Sequence, residues 1–344
     1  MRVLFTGGGT AGHVIPAIAI AKEVRGGVLF VGTQRGIENR LVPEAGFNIA
    51  HIDIRGFDRK RLWKNFAVIR KIFKANADAR AIIKKFQPDI VVGTGGYVSG
   101  PVVYAAAKMG IRTLIHEVNA KAGLTSKILA RYADIVTVSF EAAKSEFPRA
   151  RRVELVGNPI RAELFQFTRE EARERLALDE RPVVVAFGGS LGAEAINEAM
   201  DDFVRTNGKR YQVIWACGER YFNDYMRDLG AVPYIRNMEE VLAAADLVVT
   251  RGGGTLFELT ALGRASVIVP SPNVTNNHQE HNARALEERG AAKVVLEKDI
   301  GGLSSIIMEL CENRAARLAM EDAAFKMGRK DAVGRTLELM EGLV

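Results

Sequence analysis

The sequence predicts an α/β protein built from two nucleotide-binding halves. Short β-rich runs alternate with longer helix-like stretches along the chain, and two of these runs end in glycine-rich loops, at residues 7–12 and 188–193. Glycine accepts a positive φ, and a helix that starts behind such a loop presents free N–H groups to a phosphate. We therefore expect two parallel-sheet domains that face each other across a cleft, with a ligand bound between them.

The predicted elements follow this alternation from end to end. The predicted strands lie at 2–6, 28–32, 49–53, 89–93, 111–115, 134–138, 153–156, 182–187, 211–216, 231–234, 246–250, 266–270 and 293–295. The stretches between them predict helices, and the Gly157-Asn158-Pro159 turn predicts the linker between the halves. We expect domains at 1–158 and 159–325, and a C-terminal helix within 326–344 that packs back on the first domain.

The composition limits the classes to which the chain can belong. At 344 residues it is too long for one ordinary core, and its 48% hydrophobic and 26% charged residues are typical of a globular protein. No run approaches the roughly 20 apolar residues that span a bilayer, and the N-terminus enters a strand without a signal peptide. Cys217 and Cys311 have no CxxC partner, which argues against a disulfide scaffold and fits a reducing compartment.

The net charge of +7 is concentrated in residues 55–85. Within 55–74, Leu62, Phe66, Ile69 and Phe73 recur at helical spacing among lysines and arginines. One interpretation is an ordinary helix packed on its sheet. The other is a membrane-contacting segment in which Phe57, Leu62 and Trp63 meet the lipid and the cations meet anionic headgroups. RNA binding is not favoured, because no RNA-module pattern is present.

The first glycine loop satisfies the dinucleotide fingerprint only in part. Gly7, Gly9 and Gly12 match G-x-G-x-x-G, but the second strand ends at residues 31–35 without the acidic residue that would hold a ribose. This argues against an NAD enzyme. His13 follows the loop, where a general base and a structural histidine are equally good interpretations.

Two further glycine clusters follow predicted strands. In residues 250–258, Glu258 either complements the helix dipole or accepts hydrogen bonds from two ribose hydroxyls. In residues 93–101, the glycine density predicts a backbone surface for a substrate, while Tyr97 also fits a half-buried core position. His116, Glu117 and Asn119 follow another strand end. His278 and His281 have no third ligand at matching spacing, so we expect no zinc site.

Six ordered motifs together resemble the MurG family of peptidoglycan N-acetylglucosaminyltransferases. The resemblance runs from residue 1 to about 290 and is carried by residues 7–16, 95–101, 116–119, 157–161, 188–193 and 276–280. It implies a GT-B glycosyltransferase with two Rossmann-like domains. The implied reaction is the inverting transfer of N-acetylglucosamine from UDP-GlcNAc to undecaprenyl-pyrophosphoryl-MurNAc-pentapeptide (lipid I), which gives lipid II in peptidoglycan synthesis.

The resemblance also implies roles for individual residues. His13 would be the general base, with Glu117 as second choice. The implied substrate-binding residues are Thr10, Ala11, Gly12, Tyr97, Ser99, Asn119, Arg161, Ser190, Ile235, Gly253, Gly254, Thr255, Leu256, Phe257, Glu258 and Gln279. Among them, Arg161 and Ser190 would contact the diphosphate, Ile235 the uracil, Glu258 the ribose and Gln279 the sugar. The family commonly has Gln after the serine, where this chain has Leu191.

The implied setting is the cytoplasmic face of the bacterial cell membrane, with no cofactor and no essential metal. UDP-GlcNAc, lipid I and an anionic membrane surface are the expected partners, together with cell-wall synthesis and division proteins, and no nucleic acid is expected. Two alternatives remain: a UDP-GlcNAc 2-epimerase-like isomerase, and a non-catalytic membrane scaffold that senses a nucleotide sugar. The basic apolar stretch at 55–74 argues against the isomerase.

Overall fold

The computed structural model describes residues 1–54, 65–189 and 191–344, with only the backbone described for 65–70. It divides into two compact units, residues 1–160 with 330–344, and residues 161–329. The unit boundaries lie after residues 160 and 329, where the sequence predicted 158 and 325. The predicted membrane-contacting residues Phe57, Leu62 and Trp63 lie outside the described part of the chain, as does Ser190.

In the described part of the first unit, seven strands form one parallel sheet in the order β3-β2-β1-β4-β5-β6-β7. These strands are β1 Val3–Gly7, β2 Val28–Gly32, β3 Ile49–His51, β4 Ile90–Gly95, β5 Arg112–Glu117, β6 Ile135–Val138 and β7 Val153–Leu155. The helices are α1 Ala11–Glu23, α2 Glu38–Glu44, α3 Asn65–Phe86, α4 Ser99–Lys108, α5 Leu124–Leu129 and, from the chain end, α14 Ala332–Glu341. All residues of β1 are buried, as expected for a central strand of a parallel sheet covered on both faces.

The C-terminal helix α14 completes the core of the first unit. Leu339 and Met340 are buried in the same apolar cluster as Val3, Phe5 and Ile20. Thr336 is also buried, and its hydroxyl donates to the carbonyl of Ala332 one turn earlier, which satisfies the polar group within the helix. The last 15 residues are therefore part of the first unit's fold.

In the second unit, five described strands form a parallel sheet in the order β12-β11-β10-β8-β9. They are β8 Val183–Phe187, β9 Gln212–Ala216, β10 Leu247–Thr250, β11 Ala265–Ile268 and β12 Lys293–Val294. The helices are α6 Arg169–Arg175, α7 Glu194–Asn207, α8 Asp224–Asp228, α9 Met238–Ala244, α10 Thr255–Leu262, α11 His278–Glu287, α12 Leu303–Glu312 and α13 Arg314–Met327. Ile196, Met200 and Phe203 recur at helical spacing on α7 and pack with Trp215 in the core.

The predicted strand at 231–234 is wrong. Only a single bridge forms there, between Val232 and Ala216. Pro233 follows that bridge and has no N–H to continue a ladder, so the segment remains an irregular edge beside β9.

Candidate active site

Each sheet has one topological switch point, and a glycine loop follows both strands that flank it. In the first unit β1 pairs with β4, and in the second unit β8 pairs with β10. Chain connections leave in opposite directions from such a pair of strands, which opens a crevice beyond their carboxyl ends. The loops after β1, β4, β8 and β10 are the four glycine clusters of the sequence, so each unit carries a candidate ligand site at this position.

The loops after β1 and β4 are joined by hydrogen bonds. The Thr94 hydroxyl donates to the carbonyl of His13 at 2.6 Å, and the N–H of Gly8 donates to the carbonyl of Gly95 at 3.4 Å. Gly95 has a φ of +111°, and a Cβ there would lie 2.4 Å from Nδ1 of His13. Only glycine fits this position, because a side chain would be strained and would displace the imidazole.

The His13 ring lies in the first turn of α1, and one of its two nitrogens is a hydrogen-bond donor. Its Nδ1 is 3.1 Å from the carbonyl oxygen of Thr94. Since a carbonyl only accepts, Nδ1 carries the proton in this bond, and Nε2 is the basic nitrogen of the neutral ring. This is the protonation pattern that a general base requires. Thr10, Ala11 and Gly12 form the start of the same helix, whose N-cap has no side-chain hydrogen bond.

Glu117 is a buried carboxylate that organises the loop after β5. Its Oε1 accepts from the backbone N–H and the side-chain amide of Asn119, both at 3.0 Å, and its Oε2 accepts from the N–H of Gly123 at 3.1 Å. Three donors therefore already engage both oxygens. This arrangement fixes the position of Asn119 and gives Glu117 a structural role in the loop.

His116 lies beside this site in a buried polar network. Its Nδ1 is 2.9 Å from the Thr137 hydroxyl, and its Nε2 is 3.2 Å from both the Asn158 side-chain oxygen and the Ser139 hydroxyl. Burial lowers the pKa of His116 to about 4, although Asn158 and Glu117 oppose that shift. The ring is therefore neutral at pH 7 and serves the structure of the strand ends.

In the loop after β4, Tyr97 is exposed and Ser99 is buried. The Ser99 hydroxyl is buried and donates to the carbonyl of Gly96 at 2.8 Å, which closes the turn before α4. Tyr97 is exposed, beside the loop that contains Gly9. Of these two side chains, Tyr97 is the one that solvent or a ligand can reach.

In the second unit, the loop between β10 and α10 contains one packed glycine and two open ones. A Cβ on Gly252 would lie 2.3 Å from the carbonyl oxygen of Gln279, whereas one on Gly253 or Gly254 would meet nothing within 4 Å. Helix α10 begins at Thr255, and its N-cap is Gly254, which has no side chain to cap the helix. This end of the helix has the open backbone and the positive dipole end that suit an anionic or nucleotide ligand.

Glu258 projects from the first turn of α10 toward Arg161. Its Oε1 lies 3.6 Å from Nη2 of Arg161. Burial raises the pKa of the Glu258 carboxyl above its ordinary value, and the charge of Arg161 opposes that effect. The two residues that the resemblance assigned to ribose and diphosphate therefore form a carboxylate–cation pair at the first turn of α10.

The other residues predicted to bind the donor substrate offer it either a side chain or only the backbone. Gln279 is the second residue of α11, and its side-chain oxygen accepts from the N–H of Ser271 at 2.9 Å, which fixes its orientation. The side chains of Ile235, Leu256 and Phe257 are buried in the apolar core, so these residues can offer a ligand only their backbone. Thr255 is partly exposed at the start of α10.

The β8 loop is described on both sides of Ser190. Gly189 and Gly192 have φ values of +85° and +76°, and the N–H of Gly192 donates to the carbonyl of Gly189 at 3.1 Å. A Cβ on Gly192 would lie 2.1 Å from the carbonyl oxygen of Cys217, so the loop packs backbone to backbone against the end of β9. Leu191 is exposed.

Sequence reasoning missed one residue of the first unit, Glu38. Its buried carboxylate accepts from the N–H of Gly9 and from the N–H and hydroxyl of Thr33. The sequence signal was an acidic residue shortly after the second strand, at a position later than the dinucleotide fingerprint requires. In this protein the Glu38 carboxylate binds loop residues of the chain itself, whereas the fingerprint's acidic residue binds a ribose.

Two features are absent from the described residues. No group of three histidine, cysteine, aspartate or glutamate side chains there is arranged to hold a metal ion. No helix in the described ranges is both long and apolar enough to cross a membrane.

Known proteins resemble the chain over its full length. Residues 3–138 match the glycosyltransferase family 28 N-terminal domain, and residues 183–336 match the C-terminal domain of that family. A relative from Acetivibrio thermocellus, named UDP-N-acetylglucosamine--N-acetylmuramyl-(pentapeptide) pyrophosphoryl-undecaprenol N-acetylglucosamine transferase, is 43% identical across 100% of this chain and 98% of its own. A relative of the same name from Bacillus cytotoxicus is 42% identical, with both chains fully covered.

Solved structures give the same result for the fold. The crystal structure of MurG from Acinetobacter baumannii superposes with a TM-score of 0.82 at 30% identity, and the match covers 99% of each chain. A UDP-GlcNAc 2-epimerase from Neisseria meningitidis, solved bound to UDP-GlcNAc, has a TM-score of 0.69 over 99% of this chain and 100% of its own. At 12% identity, that second likeness is one of fold alone.

Two parallel-sheet α/β units with glycine loops at their switch points are the architecture of the GT-B fold, which the MurG structure shares. The domain matches and the full-length relatives identify the group within that class. The chain belongs to glycosyltransferase family 28.

Proposed function

We propose that this chain transfers N-acetylglucosamine from UDP-GlcNAc to undecaprenyl-pyrophosphoryl-MurNAc-pentapeptide, with inversion at the anomeric carbon, to form lipid II for the bacterial cell wall. The observation that carries the proposal is the 43% identity, over the full length of both chains, to a relative named for this transfer. The structural likeness to a MurG enzyme supports it. The chain is thus a hexosyltransferase of peptidoglycan synthesis.

The second unit holds the donor. Glu258 accepts hydrogen bonds from the ribose hydroxyls, and the open backbone at Gly253 and Gly254 receives the nucleotide. The uracil meets the backbone of Ile235, the sugar meets Gln279, and Ser190 contributes to the phosphates. Arg161 lies 3.6 Å from Glu258, so the cation is close to the position where the diphosphate adjoins the ribose. When the donor binds, these two side chains exchange their mutual contact for contacts with the ligand.

The first unit holds the acceptor and the base. Nε2 of His13 takes the proton from the attacking hydroxyl. Tyr97, the backbone at Ser99 and Asn119 border the acceptor, while Thr10 to Gly12 border the donor sugar and phosphates. The hydroxyl oxygen bonds to the anomeric carbon as the bond from that carbon to the UDP oxygen breaks. Negative charge then grows on the leaving diphosphate, where Arg161 and the positive ends of α7 and α10 stabilise it.

The chain works at the cytoplasmic face of the membrane as a peripheral protein. Among the described residues of the first unit, Phe73 on α3 is 75% exposed, and Leu124 and Ile128 on α5 are 61% and 47% exposed. Lys74 and Lys121, close to them in sequence, are exposed cations. Apolar side chains flanked by lysines suit a surface of anionic lipid, which is where a polyprenyl-linked acceptor resides. Cell-wall synthesis and division proteins would meet the enzyme at this surface.

An assay of UDP release tests the proposal against both alternatives. Purified protein is incubated with UDP-GlcNAc, with and without a lipid I analogue. The proposal predicts UDP release only when the acceptor is present. Formation of a 2-epimer from the donor alone would support the isomerase, and donor binding without turnover in either mixture would support the scaffold.

A further inference from the structure

Glu38 is a buried anion placed between two loops of the first unit. It begins α2 and is 1% exposed. Oε1 accepts from the N–H of Thr33 at 2.9 Å and from its hydroxyl at 2.8 Å, while Oε2 accepts from the N–H of Gly9 at 3.1 Å. A buried carboxylate needs such donors, because its charge has lost the solvation of water.

Three glycines make room for this carboxylate. A Cβ on Gly8 would lie 2.7 Å from Glu38 Cδ, one on Gly32 would lie 2.6 Å from Cγ, and one on Gly36 would lie 2.0 Å from Oε2. These glycines come from the end of β2 and from the loops after β1 and β2. Parts of the chain that are separate in sequence are therefore shaped around one side chain.

The loop held by Glu38 leads directly to the proposed base. Gly9 is followed by Thr10, the N-cap of α1, and His13 lies in the first turn of that helix. From the other side, the loop after β4 holds the same region, because Gly95 accepts from Gly8 and Thr94 bonds to His13. Glu38 thus fixes the one side of the β1 loop that the β4 loop does not reach.

We propose that Glu38 is a positioning residue for the transfer reaction, a buried internal anion that engages the β1 glycine loop and thereby sets the position of His13. This inference rests on the proposed function, since it assumes that His13 acts on the acceptor hydroxyl.

Glu38→Gln tests the role, because the amide keeps the size of the side chain but replaces one acceptor oxygen with a donor. If the amide oxygen stays on Thr33, the NH₂ group faces the N–H of Gly9 and that bond is lost. We expect kcat to fall by about tenfold to a hundredfold, the effect of losing one hydrogen bond to a charged group. The affinity for UDP, measured by calorimetry, should barely change, because the proposed contacts to the uracil and the ribose, and the Arg161 contact to the diphosphate, belong to the second unit.

Two matched variants separate positioning from stability. Thr33→Ala removes the 2.8 Å bond from the other oxygen of the same carboxylate and leaves the Gly9 bond in place. It should lower the melting temperature yet keep kcat close to that of the wild type. Glu44→Gln, at an exposed position on the same helix, should change neither. If Thr33→Ala lost kcat in proportion to its stability, Glu38 would be only structural and the proposal would be overturned.

Two further measurements test the positioning role independently of Glu38→Gln kinetics. Glu38→Asp retains the charge on a shorter side chain, so it should fall between wild type and Glu38→Gln in kcat, and it serves if the amide variant does not fold. The NMR resonance of the His13 ring, assigned with His13→Ala, should shift in Glu38→Gln and stay in place in Glu44→Gln. Absence of transfer by the wild type would refute the proposed function, whereas an unshifted His13 resonance in Glu38→Gln would refute the positioning role whatever the chain catalyses.

Discussion

The imidazole of His13 donates from Nδ1 to the Thr94 carbonyl, so the basic nitrogen of the neutral ring is Nε2. Replacing His13 by alanine should lower kcat by roughly 10²–10⁴-fold, the contribution of a general base. The affinity for UDP should not change. Steady-state kinetics and calorimetry measure the two quantities, with His51→Ala, at an exposed position, as the control. Near-normal turnover by His13→Ala would move the role to Glu117 or to water.

Glu258 is the residue on which the donor assignment depends. Its carboxylate is partly buried near Arg161, and it can accept two hydrogen bonds from a ribose. Glu258→Ala should weaken UDP binding by about tenfold or more, because each lost bond involves a charged group. Calorimetry checks this, and Glu288→Ala, an exposed glutamate of the same unit, is the control. Unchanged UDP affinity in folded Glu258→Ala would exclude the ribose role.

His116 makes the stability of the first unit depend on pH. Its pKa is lowered to about 4 in the fold, whereas an unfolded chain titrates near 6.5. Between these values the unfolded state binds the extra proton, so folding stability is complete above pH 6.5 and is lost as the pH falls toward 4. The loss amounts to about 3 kcal/mol for a shift of this size. NMR titration of the His116 ring checks the account, and a midpoint near 6.5 would contradict it.

At the scale of elements, the pattern of apolar residues and the positions of the glycines predict the central strands and the loops that follow them. β1, β4, β8 and β10 are largely apolar runs that lead into glycine-rich loops, and the structure has a strand at each. The segment at 231–234 has a similar apolar composition but lies at the sheet edge, where Pro233 interrupts the ladder. Local composition cannot reveal that a segment has only one neighbour, because pairing is decided by the rest of the sheet.

Residues of the candidate site could be predicted from the sequence only where the residue type itself suggests a chemical role. His13 and Glu258 stand directly after glycine loops, so their positions follow from the sequence. Glu38 could not be found in this way, because its partners are backbone N–H groups and one of them, on Gly9, is 29 residues away. Likewise, the interpretation of Glu117 as a base depended on residue type, whereas its three donors become visible only in the folded loop.

Helices α3 and α5 carry the exposed apolar side chains from which we infer membrane contact. Replacing Phe73, Leu124 and Ile128 together by serine should weaken binding to anionic vesicles by about a thousandfold or more, since burial of each large side chain contributes roughly 1.5–3 kcal/mol. Vesicle co-sedimentation measures this. The matched control is Leu318→Ser with Phe325→Ser, two exposed apolar residues on α13 of the second unit. Equal vesicle binding by wild type and the triple variant would show that this surface does not meet the membrane.

At the scale of the whole molecule, fold and sequence similarity answer different questions. The same GT-B fold occurs in a UDP-GlcNAc 2-epimerase at 12% identity, so the architecture alone does not separate transfer from isomerisation. The full-length identity of 43% to a named transferase does favour transfer. The proposed division of labour adds a physical reason: one unit has an open nucleotide loop, and the other has a histidine oriented as a base.

The identity of the product tests this account most directly. Purified protein, UDP-GlcNAc and a lipid I analogue are incubated, and the lipid product is analysed by mass spectrometry and by NMR of its new anomeric centre. The account predicts an acceptor heavier by one N-acetylglucosamine residue, joined through a β-linkage because the α-linked donor is inverted, with one UDP released per linkage. An α-linked product, or an unmodified acceptor beside an epimerised donor, would contradict it.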